Sequence, residues 1–145
     1  MSRSLVEEWH YHQSMMLLVK TNRPLRIHVR PQTNPGPHPL IDVAARGLDA
    51  RSRLYESRAA TGVQFIVHAV LLSQELCAEI IIEAITRIER QELSDFTFVC
   101  EHATHRSAGM ALLLAILVYN NAEIFFYTER TQAEAIQFGM IHASS

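Results

Sequence analysis

Phe96-Thr-Phe-Val-Cys-Glu-His-Ala-Thr-His-Arg-Ser107 is the stretch on which the fold turns. Phe96 to Cys100 is apolar and rich in aromatic and β-branched residues, so it reads as a short buried strand. A polar loop follows, and residues 105–119, apolar from Ala108 to Tyr119, read as a helix. Such a loop faces the free N–H groups and the positive dipole end of the helix it enters. Cys100 and Arg106 stand six positions apart, with Ser107 next. A guanidinium, a hydroxyl and the imidazoles of His102 and His105 together make a candidate anion site.

Working outward, Leu25 to Arg30 alternates apolar and basic residues. That spacing predicts a strand with Leu25, Ile27 and Val29 inward and Arg26, His28 and Arg30 outward. Pro31 to Pro39 holds four prolines and a glycine and predicts an extended loop. Leu40 to Ala45 can form a second strand, and residues 46–61, polar and Arg-rich, one irregular helical stretch closed by Thr61-Gly62. Val63 to Arg90 predicts one long helix, or two meeting near Ser73, a residue suited to an N-cap. Ala122 to Tyr127 reads as a strand, its Phe125-Phe126-Tyr127 stripe as core, and 131–141 as a final helix. Before all of these, residues 4–19 can form a helix with Ser4 as cap and Glu7 in a capping box.

The alternation of strands and helices predicts a single α/β domain of three layers. Its mostly parallel sheet of about four strands has helices on both faces. The division is an N-terminal helical extension, 1–22, and an α/β domain, 23–145. In such a sheet ligands sit at the carboxyl ends of the strands. Polar residues gather at those ends: Arg30 after the first strand; Cys100, Glu101 and His102 after the central one; Thr128 and Arg130 after the last. Asp42 adds a further one.

A Cys-x5-Arg-Ser spacing fits two kinds of loop. In one, the loop wraps a phosphate, the Arg clamps it and the Cys attacks as thiolate, making Cys100 and Arg106 catalytic. In the other it binds without chemistry. A phosphate-wrapping nucleophile loop relies on glycines for converging N–H groups, and Cys100 to Arg106 contains none. Glu101 opposes both thiolate formation and anion binding. The aspartates are Asp42, Asp49 and Asp95, and none is placed as an obvious general acid. Binding is the preferred reading, and the enzyme reading its alternative.

The 145 residues suffice for one domain with a real core. A formal net charge of −2 supplies no field to recruit nucleic acid or an anionic membrane. Lys20 is the sole lysine, so the cationic side is arginine, which suits bidentate oxyanion contacts. Cys77 and Cys100 form neither a disulfide scaffold nor a zinc signature. No signal peptide or membrane span is read, and a cytoplasmic setting is expected. Among eight histidines, the pairs His10/His12 and His102/His105 lack a third ligand fixed by sequence, so no metal and no cofactor are expected. Trp9 is a packing anchor or an oligomer contact, which leaves a homo-oligomer open.

Three patches resemble the C-terminal domain of the RapZ-type RNase adapter family. Val99-Cys-Glu-His-Ala-Thr-His-Arg-Ser-Ala-Gly-Met-Ala111 is similar to its strand, Cys-Thr-Gly-Gly-x-His-Arg-Ser loop and helix. Arg58-Ala-Ala-Thr61-Gly62 is similar to its Arg-Pro-x-Thr-Gly, and Ile41-Asp42-Val43 to its Phe-Asp-Val/Cys-Arg strand. The resemblance implies an α/β unit binding a sugar phosphate and contributing to RNA and protein contacts, here without the family's N-terminal phosphate-loop domain. Carried over, Cys100, His105, Arg106 and Ser107 form the sugar-phosphate loop. The family's Thr-Gly-Gly is Glu101-His102-Ala103 here, a narrower and more carboxylate-rich loop. The ligand-binding set expected is therefore Cys100, Glu101, His102, Thr104, His105, Arg106 and Ser107, with Asp42, Arg58, Thr61, Gly62, Thr128 and Arg130 around it. The expected function is a sensing or adapter domain for a small anionic or phosphorylated ligand, linked to RNA metabolism through the resemblance. A protein-interaction domain with a vestigial loop is the remaining alternative.

Overall fold

The computed structural model describes residues 21–56 and 60–139. The helix expected over 4–19, with Trp9, His10 and His12, and the candidate ligand Arg58 lie outside them. The chain forms a single-domain α/β fold around a four-stranded sheet. Its strands are β1 (Leu25–Pro31), β2 (Leu40–Asp42), β3 (Asp95–Cys100) and β4 (Ala122–Phe126). All neighbouring pairs are parallel, in the spatial order β2-β3-β1-β4. The helices are α1 (Phe65–Leu72), α2 (Glu75–Arg90), α3 (Arg106–Leu117) and α4 (Glu129–Gln137).

Alternation sorts the strand residues onto two faces. Leu25, Ile27, Val29, Ile41, Phe96, Phe98 and Cys100 are buried on the helical face. There the Arg87 guanidinium of α2 sits 5.3 Å above the Phe96 ring, and Ser107 of α3 meets Cys100. α3 is apolar almost all round because it packs between this face and α1, with Ser107 through Leu114 buried. Cys77 of α2 reaches Met110 of α3, Sγ to Sδ 3.6 Å. Burial pushes the Cys77 thiol up to about 12, so this cysteine is an inert core residue.

The connections explain the faces. From β2 to β3 and from β3 to β4 the chain moves in one direction along the sheet, carrying helices. From β1 to β2 it moves the opposite way, past β3. Parallel crossovers keep one hand, so the reversed connection belongs on the reversed face. There it lies: His38, from residues 32–39, stacks on His28 with ring centroids 4.8 Å apart. β2 starts level with His28, since Leu40 and His28 both pair with Thr97. The return from Pro31 is thus about three residues down and two strands across, roughly 14 Å, which eight residues span without a helix. Arg30 braces it, donating through Nε to Asn34 O (2.9 Å) and lying 4.0 Å from the Tyr127 ring centroid.

Several elements differ from the sequence reading. β2 stops at Asp42 because its carboxylate takes the N–H groups of Ala44 and Ala45 and turns the chain. The apolar run 63–90 takes the second of its two expected forms, two helices meeting near Ser73, bent by 96°. Ser73 ends the first of them instead of capping the second, since its hydroxyl donates back to Val70 O (2.6 Å). Residues 46–56 form turns and no helix. His28 points away from the helices as expected, yet it is buried, covered by His38, Phe125 and Tyr127. Among the described residues no single helix is long and apolar enough to cross a membrane.

His68 of α1 is 3% exposed and bonds through Nε2 to the Gly62 carbonyl (2.6 Å). Burial lowers its pKa, with the Gly62 bond acting in the opposite sense. Below about pH 6.5 the unfolded chain takes up a proton at this residue that the folded one refuses. Stability is therefore full above that pH and declines as pH falls, until His68 protonates within the fold. Urea midpoints of wild type should drop between pH 7 and pH 5 by more than those of His68→Gln; parallel pH profiles would refute the assignment.

Candidate anion site at the carboxyl end of the central strand

β3 delivers Cys100 to the carboxyl edge of the sheet, and α3 begins at Arg106, as the sequence predicts. Between them the loop is drawn tight. Ala103 adopts φ +55°. Thr104 donates its hydroxyl proton to His102 O (3.1 Å). Ser107 closes the loop on its cysteine: its Oγ lies 3.0 Å from Cys100 Sγ and its N–H points at the same sulfur, 3.4 Å away. Cys100 is 3% exposed, so the thiol lies at the loop's floor.

The Thr61-Gly62 patch is brought to this loop as its fastening. Gly62 donates to Thr104 O (2.7 Å), and His105 Nε2 bonds Ala60 O (2.8 Å). A Cβ on Gly62 would stand 2.2 Å from His105 O and 2.3 Å from Gly109 N. Only glycine lets the segment run this close to the first turn of α3. Thr61 is fully buried, its Oγ1 accepting from the Val63 N–H. It shapes the turn.

Two cavities open at the loop. One, of about 510 Å³, is lined by Leu48, Asp49, Arg51, Tyr55, His105 and Arg106, among others. The second, of about 310 Å³, is lined by Cys100, Glu101, His102, Thr104, His105, Arg106 and Arg130. His105 and Arg106 line both. Each cavity sets two guanidinium groups against one carboxylate, Arg51 and Arg106 against Asp49 in the first, Arg106 and Arg130 against Glu101 in the second. Arg106 is half-buried, with Nη1 donating to Leu48 O at 3.3 Å. Hydrogen bonds from Arg51 hold the Asp49 carboxyl below its usual range, with a smaller contribution from the charge of Arg106. Glu101 is exposed and lies 3.6 Å from His102 Nε2.

The remaining candidates lie apart from the cavity walls. Asp42 is engaged by backbone N–H groups and by Gln32 Nε2 (3.0 Å). Thr128 precedes α4 and bonds Thr131. Asp49 and Tyr55 are wall residues that the sequence pattern did not single out, because residues 46–56 follow no periodicity; Arg51, which reads from the sequence as part of a solvated arginine face with Arg53 and Arg58, lines the larger cavity. No family model, curated protein or solved structure matches the chain.

The close approach at Gly62 has a measurable consequence. Gly62→Ala meets backbone atoms that cannot swing away, and overpacking of that kind costs about 1–3 kcal/mol. Gly109→Ala meets the end of a flexible side chain, Leu71 Cδ1 at 2.4 Å, and gains helix propensity of about 0.5–1 kcal/mol. Denaturant titration should show Gly62→Ala as the more destabilised of the two, and the reverse order would refute this packing.

Proposed function

We propose that the Cys100–Ser107 loop binds a small anionic ligand, phosphorylated in the preferred reading, and that the domain senses or presents it. One observation carries the reading: Arg106 begins α3 and lines both cavities, each with a second guanidinium beside it. An oxyanion there meets a fork of N–H donors at the positive end of a helix. The larger cavity, walled by Leu48, Tyr55 and Ala50, has room for the non-ionic body of a metabolite. The resemblance to the RapZ C-terminal domain supports the same loop and suggests a sugar phosphate, with an adapter role in RNA metabolism. The acidic overall balance does not favour direct RNA contact.

A second reading, covalent phosphate transfer through Cys100, draws on the sulfur's place at the loop floor beneath the Ser107 N–H. Among the described residues no aspartate lines the cavity at Cys100 to serve as proton donor for the leaving group, which such chemistry needs.

Removing Arg106 deletes a charge-assisted contact of about 1.5–3 kcal/mol, so Arg106→Ala should weaken binding about tenfold or more. Thermal shift against phosphate, sulfate and a panel of sugar phosphates reads this directly. Equal and negligible shifts for wild type and variant would refute the anion site. Turnover of an aryl phosphate should stay at background across pH, in wild type and in Cys100→Ser alike. Robust hydrolysis that disappears in Cys100→Ser would replace the binding reading with the enzymatic one.

A further inference from the structure

The face of the sheet opposite the helices carries a second constellation. His28 of β1, His38 of the β1–β2 connection and Asp95 of β3 bring one ligand atom each within 4.8 Å of one another. His28 Nε2 and His38 Nε2 lie 2.8 Å and 3.8 Å from Asp95 Oδ1. The two rings are stacked, 19° from coplanar. The cluster lies toward the start of β3 and the anion loop follows its end, so the two sites are separate.

We infer that His28, His38 and Asp95 form a binding site for a borderline divalent transition ion such as Zn²⁺. Two imidazoles and a carboxylate are a donor set that suits zinc and its neighbours, and three protein ligands leave a position open. Ligand atoms 2.0–2.1 Å from a tetrahedral ion lie about 3.3 Å from each other. That spacing falls inside the range the three atoms already occupy; because an imidazole lone pair lies in its ring plane, the more exposed His38 ring turns out of the stack to complete the shell.

The surroundings are arranged as those of a metal site. His28 Nδ1 is 2.8 Å from Tyr127 Oη, an outer partner that fixes the ring's tautomer and orientation. Arg26 grips the Asp95 carboxylate twice, at 2.8 and 2.7 Å, which fixes its plane. The proton balance is simple. A neutral His28 that donates Nε2–H to Asp95 shifts that proton to Nδ1, where the Tyr127 oxygen accepts it, and Nε2 is left to take the ion.

An independent observation points to a ligand at the same place. Thr97 is fully buried and, among the described residues, its Oγ1 has no hydrogen-bond partner. It stands opposite His28 in the β1–β3 register, two residues after Asp95 and on the same face. A buried hydroxyl left unpaired is costly, and a water on the ion's open position supplies the missing partner. His38, with its side chain 35% exposed, gives the ion a way in.

The test is titration of chelator-treated full-length protein with Co²⁺, whose d–d absorption reports imidazole ligation, followed by displacement with Zn²⁺. One equivalent is expected to bind and to be displaced. His38→Ala should lose more than the roughly 10–100-fold that an outer partner costs, and Tyr127→Phe about tenfold. The double variant His10→Ala/His12→Ala and the single variant His102→Ala should bind as wild type does. A readout that needs no variant is the ring resonances of His28 and His38, which Zn²⁺ should shift while those of His68 stay in place. Absence of saturable Co²⁺ binding, unchanged affinity in His38→Ala, or movement of other histidines alone would overturn the assignment.

Discussion

Two parallel strands cannot be joined by a tight turn, because the chain must first travel back along their length. That constraint, with the single hand that crossovers obey, organises this molecule. The strand order β2-β3-β1-β4 makes one connection run against the other two. The two forward connections carry α1, α2 and α3 and bury one face of the sheet. The backward connection is too short for a helix, and it covers the other face with proline and histidine. The sheet thus has two chemically unlike sides.

The helical side owes its strength to ordinary burial, with Phe96, Phe98, Ile27 and Val29 sealed under α2 and α3. Each such side chain contributes about 1.5–3 kcal/mol. What this side positions is the loop at its edge. The first turn of α3 is held by the backbone of Ala60 and Gly62, so Arg106 leaves the helix at a fixed point between two cavities. Fixing a guanidinium in advance lowers the ordering cost of binding an oxyanion. The burial of Cys100 belongs to the same arrangement: its sulfur takes the Ser107 N–H, shares a hydrogen bond with the Ser107 hydroxyl and completes the loop floor.

Much of this was legible in the residues. The apolar run ending at Cys100, followed by the apolar run after Arg106, fixes a strand, a loop and a helix in that order, and period-2 alternation in Leu25 to Arg30 assigns the inward set. Hydrophobicity alone could not choose between one helix over 63–90 and two meeting near Ser73, because both helices are apolar and the bend depends on Ser73 and Gln74 bonding back to Val70. Nor could it give the walls of the larger cavity. Asp49 is tied there by Gln74, from the junction between α1 and α2, and the Tyr55 hydroxyl by the carbonyl of Ala50. The His28, His38 and Asp95 group was invisible for a similar reason. Its members come from a strand, a loop and another strand, and only the β1–β3 register and the backward crossover bring them together.

That group also explains why an all-parallel sheet tolerates polar residues where a second helical layer is the usual cover. The Asp95 carboxylate is half-covered and lies well below its usual pKa, first through its Arg26 hydrogen bonds, with His28 and His38 adding to the effect. Buried polar groups are tolerable when each finds a partner and costly when one does not. Arg26, His28, Asp95 and Tyr127 satisfy one another across three neighbouring strands. Such a network adds to the register that apolar packing already demands. A slip of one residue between β1 and β3 turns Asp95 away from both Arg26 and His28, and it also carries Ile27 and Val29 out of the core and Arg26 and His28 into it. The two faces therefore fix one and the same register. Among the described residues Thr97, in the middle of the polar face, is where the pairing is incomplete.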